Sequence, residues 1–130
     1  MSFLGAYRTY LLAQTGITDL TGTRIYNIKA PQGTEQPYIV FNVVSDPNVP
    51  ISFTEQNAYQ QRIQTSIFAK KAVDCETIRV ALKAAIISSS FAITGYTTHN
   101  KLVLNHQYLY EDNSELYHVP VDVYIEYEEA

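Results

Sequence analysis

Tryptophan is absent from this chain, cysteine and methionine occur once each, and glycine only five times. A single cysteine excludes an internal disulfide, so nothing calls for an oxidising compartment. The five glycines are scattered, which leaves no glycine-rich phosphate loop, and no Gly-x-Ser-x-Gly elbow is present. Uninterrupted apolar runs stop at four residues, as at Ala84–Ile87. The sequence therefore predicts a soluble chain with no membrane span and no secretory leader, made in the cytoplasm. Positive charge is missing from the whole C-terminal part: the last basic residue is Lys101.

What is present fits one ordinary globular domain of α+β class over residues 1–130. The apolar fraction of 46% and charged fraction of 17% are those of a folded chain. Eleven tyrosines suit half-buried strands and subunit contacts, where the ring packs and the hydroxyl stays hydrated. Charge is polarised. Residues 1–101 carry nine basic and six acidic residues, whereas residues 102–130 carry seven acids and no Lys or Arg. Such a division can orient subunits head to tail, and it can equally keep an edge strand soluble.

Ser2–Gln14 reads as a helix with Phe3, Leu4, Tyr7 and Leu11 on one face, stopped by Gly16. Thr18–Thr23 reads as turn material. Strands are expected at Arg24–Ile28 and Tyr38–Val44, with Ala30-Pro31-Gln32-Gly33 reversing the chain between them. Residues 45–58 form a long loop in which Pro47, Val49, Pro50, Ile51 and Phe53 stand out, because loops of this length are often functional and a solvated linker needs no apolar residues. Gln60–Ala69 alternates as a strand antiparallel to Tyr38–Val44.

A second helix runs from Asp74, as N-cap with a Val73–Ile78 staple, to Ser88. Its Ile78, Ala81, Leu82, Ala85 and Ile86 make the buried stripe, and Glu76, Arg79 and Lys83 the opposite side. The stretch 91–100 leaves a short strand and a turn at Gly95 both open. A C-terminal β-hairpin at about 102–127 turns at Asp112-Asn113-Ser114. Pro120 places the last strand at an edge or a bulge. One mostly antiparallel sheet of four to five strands, with two helices on one face, satisfies every apolar stripe.

The search for chemistry returns little. His106 and His118 could meet on neighbouring strands beside Asp122 as a metal site, but register decides whether they share a face, and no ligand-spacing motif accompanies them. Cys75 sits in a first helical turn without a partner base. Lys70-Lys71 is the only basic pair, and no cationic stripe exists to neutralise phosphates, so specific nucleic-acid binding is not expected. No cofactor is expected.

The distinctive residues are Arg24-Ile25-Tyr26, Ala30-Pro31-Gln32-Gly33 and Gln36-Pro37-Tyr38-Ile39-Val40-Phe41. With the N-terminal helix, the Arg62–Ala69 strand, the Asp74–Ile86 helix and an aromatic-rich last strand, they resemble the tail-completion family of long-tailed bacteriophages, also called tail-to-head joining or tail terminator proteins. The similarity runs over nearly the whole chain. It implies a small α+β virion subunit, monomeric when free or ring-forming, whose ring is expected to be a hexamer at the head-proximal end of the tail.

The partners implied are further copies of the chain, the tail tube protein and the head connector or stopper protein. DNA would pass through the ring, and no membrane, cofactor or catalysis is implied. Expected assembly surfaces are the loop residues Pro47, Val49, Pro50, Ile51 and Phe53, and the acidic Glu111, Asp112, Glu115, Asp122 and Glu126. Two alternatives stand beside this reading. One is a head-completion (stopper) or other neck protein; the other, more remote, is a small soluble metal- or ligand-binding α+β protein or enzyme.

Overall fold

The computed structural model describes residues 2–45 and 58–129. Its elements in chain order are α1 (Phe3–Leu12), α2 (Thr15–Thr21), β1 (Ile25–Asn27), β2 (Tyr38–Ser45), β3 (Ala58–Ala69), α3 (Ala72–Ile87), β4 (Tyr96–His106), β5 (Leu109–Glu111) and β6 (Leu116–Glu129). The architecture is α+β. Six strands form one mixed sheet in the order β1-β2-β3-β6-β4, with β5 also paired to β6. The described residues therefore contain three helices and six strands, one helix and at least one strand beyond the sequence expectation.

The additional helix arises at Gly16, which does not stop α1. Ser2 caps α1, its hydroxyl accepting from the Gly5 N–H at 3.0 Å, and the helix ends at Ala13. Gly16 lies inside α2, where a Cβ would stand 3.2 Å from the Ala81 Cβ of α3. The glycine permits a close helix–helix approach there, at the expense of helix propensity. Gly22, with φ of 58°, is where the chain leaves α2.

The turn between β1 and β2 also differs from expectation. Ile25 pairs with Ile39 and Asn27 with Phe41 in parallel register. The chain thus loops back past its starting level and runs again in the same direction. Gly33 supplies a positive φ of 80° on the way.

Strand alternation sorts the sheet into two faces. Ile39, Ile63, Ile67, Val119, Val123 and Ile125 share the face under the helices and are fully buried. α1 and α3 pack on this face as expected, with α2 bridging them. The Tyr10 hydroxyl donates to the Ala85 carbonyl at 2.6 Å and ties α1 to α3. Buried Tyr7 shares a 2.9 Å hydrogen bond with the Thr65 hydroxyl, and burial raises its pKa. Phe3 stacks on Tyr127 at 3.8 Å between ring centroids. No described helix covers the second face, which carries Phe68, Ser66, Gln64 and Arg62 on β3 and His118, Pro120, Asp122 and Tyr124 on β6.

β6 is an interior strand, between β3 and β4. Pro120 is accommodated because the flanking ladder breaks beside it: β4 ends at its Val121 pair after a register shift, and β5 begins opposite His118. The irregularity the proline requires is in the neighbouring strands. Helix α3 starts one turn earlier than Asp74, with Lys71 as N-cap. Val73 is 64% exposed, so it cannot staple to buried Ile78.

Candidate functional site

The distinctive segment 24–41 folds into an internal clamp. The Arg24 guanidinium donates to the Pro37 carbonyl and to the Leu20 carbonyl, both at 3.1 Å. The Arg24 carbonyl accepts from the Ile39 N–H at 3.0 Å. Arg8 of α1 adds a 2.6 Å bond to the Ile25 carbonyl. One arginine therefore joins the end of α2, the entrance of β2 and β1, with Ile25, Ile39 and Phe41 fully buried behind it. The spacing of Arg24 and Pro37 is a structural requirement, and none of these groups is held toward a ligand.

The candidate chemical groups are likewise committed to the fold. Cys75 is buried, with its thiol directed at the Tyr117 carbonyl (3.7 Å) and pushed up to about 11, first by burial and then by Asp74. A thiol held protonated in this way is a packing group. His118 stacks on Phe68 at 4.3 Å and has Nδ1 3.7 Å from Glu111. Burial lowers its pKa and Glu111 opposes that shift, leaving a net downward displacement.

His106 pairs through its backbone with Val121, whereas His118 pairs with Phe68 and Leu109, so the register does not set the two histidines opposite one another. The His106 side chain is outside the described residues. Among the described residues, no three His, Cys, Asp or Glu side chains gather as a metal site.

The acidic assembly candidates separate into two groups. Glu111, Asp112 and Glu115 are exposed at the β5–β6 turn, where Glu115 adopts a φ of 56° and donates its N–H to the Glu111 carbonyl. Asp122 is different: it is 7% exposed and forms a 2.8 Å ion pair with Arg62, whose guanidinium also lies over the Tyr124 ring. That carboxylate, expected among the assembly residues, is paired within the subunit. Glu126 is half-buried and accepts from the Asn100 side chain at 2.9 Å. The loop candidates Pro47, Val49, Pro50, Ile51 and Phe53 lie outside the described residues.

Two exposed apolar surfaces escaped the sequence reading. On α3, Val73, Val80 and Ile87 are 64%, 52% and 55% exposed. They recur every seven residues, with exposed Thr77 and Ala84 between them, and point away from the buried Cys75, Ile78, Leu82 and Ile86. Glu76, Arg79 and Lys83, expected on the side opposite the core, instead flank this stripe, with Arg79 paired to Glu76 at 2.6 Å. The seven-residue recurrence is the signal that could have found it. On the helix-free side of the sheet, Leu102, Leu104 and Leu109 are 53%, 44% and 39% exposed. Their pairing with Tyr124, Asp122 and His118 places them on one face. Lys101, the last basic residue, points the other way, with its ammonium on the Ser88 carbonyl at the end of α3 (2.6 Å) and over Phe91.

Comparison with known proteins agrees with this architecture. The family model for tail completion protein gp17 matches residues 6–128. A solved chain from "Virion of native gene transfer agent (GTA) particle" superposes with a TM-score of 0.72, covering 98% of each chain at 13% identity. At that identity the likeness is one of fold. Among curated proteins nothing matches.

Proposed function

The chain belongs to the tail completion protein gp17 family and has a structural role in the phage tail, and from that premise we propose that it closes the head-proximal end of the tail tube as a ring of identical subunits. The ring stops tube growth and presents a docking face to the head connector. The observation that carries the ring is the division of charge. Exposed Glu111, Asp112 and Glu115 cluster at one turn, no Lys or Arg follows residue 101, and exposed Lys70, Lys71 and Lys83 lie at α3. A ring needs two different surfaces that fit each other, and a subunit that exposes carboxylates at the β5–β6 turn and the Lys83 ammonium on the outer side of α3 carries both signs of charge for such a pair. The role requires no catalysis.

The test is electron microscopy of purified tail tubes incubated with the chain. The expected result is a ring on one end of each tube and arrested elongation on addition of tube subunits. Tubes that stay uncapped and keep growing would overturn the proposal. Binding to the portal–adaptor complex in place of tube ends would reassign the chain as a head-completion (stopper) protein.

A further inference from the structure

We propose that the outer stripe of α3 in one copy seats on the helix-free sheet face of the next copy, making this the subunit contact of the ring. The inference rests on the ring reading above and names the surfaces that build it. Both surfaces expose apolar side chains that no other described residue covers: Val73, Val80 and Ile87 on one side, Leu102, Leu104 and Leu109 on the other. Isolated exposed apolar residues are ordinary, but Val73, Val80 and Ile87, with Thr77 and Ala84 between them, line up along the solvent side of one helix.

The two surfaces lie on opposite sides of the subunit, because α3 covers one face of the sheet and the leucines occupy the other. A copy bound through one surface therefore leaves the second free for another copy, the head-to-tail arrangement that closes into a ring when the rotation between copies divides a full turn.

Charge selects a second copy as the occupant. Residues 70–87 carry Lys70, Lys71, Arg79 and Lys83 against Asp74 and Glu76, a basic balance. On the leucine face Arg62 and Asp122 neutralise each other in their ion pair, which leaves the carboxylates of Glu111 and Glu126 as its net charge. An apolar strip edged by lysine meets an apolar strip edged by carboxylate. Seating the helix on the sheet also covers the side of this two-layer α+β subunit that no described helix covers.

The test uses two full-length variants, Val80→Asp and Leu102→Asp, both at exposed positions, with far-UV circular dichroism and thermal unfolding confirming the fold. On tail tubes that the unmodified chain caps, each variant alone is expected to cap at least about tenfold fewer ends, because a carboxylate is buried in an apolar contact. Mixed in equal amounts, the two retain one intact contact between them. Light scattering is expected to show dimers at concentrations where either variant alone is monomeric. Rings of normal abundance from either variant, or a mixture that stays monomeric, would overturn the inference while leaving the ring itself intact. Intact rings that no longer hold to the tube would assign the stripe to the tube protein and overturn it equally. If the unmodified chain forms no ring on tubes, the underlying ring reading has failed instead.

Discussion

Segment 24–41 and the two exposed apolar faces use similar residues for opposite ends. In the segment, Ile25, Ile39 and Phe41 are buried, and Arg24 spends its hydrogen bonds on carbonyls of its own chain. On α3 and β4–β5, valines, isoleucine and leucines stay in water with lysines or carboxylates beside them. The most recognisable motif of the chain is thus a fold-forming device. The surfaces proposed for assembly are less conspicuous in sequence, because exposure depends on which side of an element faces the sheet.

The comparison can be broken most forcefully inside the core. Leu82→Ala removes a fully buried side chain from the inner stripe of α3 and is expected to cost about 2–5 kcal/mol in urea unfolding. Arg24→Ala removes the clamp and leaves the Pro37 and Leu20 carbonyls to find water; the expected loss is about 2–3 kcal/mol, read in the same assay. If Arg24→Ala instead leaves stability unchanged and abolishes ring formation, the segment is functional and the contrast drawn here is wrong.

Tyr7→Phe strands the Thr65 hydroxyl in the core and should cost about 1–2 kcal/mol. Val80→Ser, on the outer stripe of the same helix as Leu82, should change the isolated subunit by no more than about 0.5 kcal/mol.

The smallest expected effect concerns pH. Burial lowers the His118 pKa in the folded chain, so the unfolded chain takes up its proton first, from about pH 6.5 downward. His118 should therefore contribute a loss of stability as pH falls below that value, and a gain as it rises. Thermal melts of His118→Phe, which retains an aromatic ring against Phe68, should show a flatter slope in that window.

Much of the fold was legible because periodicity reports burial. The β3 and β6 alternations and the inner stripe of α3 all follow from apolar spacing, and the two faces emerge with them. Local stop signals misled where tertiary packing overrode them: Gly16 sits in the first turn of α2, where Ala81 comes close, and Pro120 lies in an interior strand because its neighbours break. The parallel pairing of β1 and β2 was hidden, since a turn signal reports a change of direction and not how far the chain travels afterwards. Among the acidic candidates, Asp122 could not be separated from Glu111 by sequence, because its partner Arg62 lies sixty residues away in the chain.

The clamp around Arg24 builds the subunit, whereas the proposed role of the outer faces is to join subunits. Side-chain footprinting of the free chain and of the ring on tail tubes tests this most directly. Val80, Ile87, Leu102 and Leu104 are expected to lose reactivity in the ring, whereas Arg24, Tyr26 and Tyr38 keep theirs. Unchanged reactivity at the four apolar positions, with protection arising in segment 24–41, would contradict it.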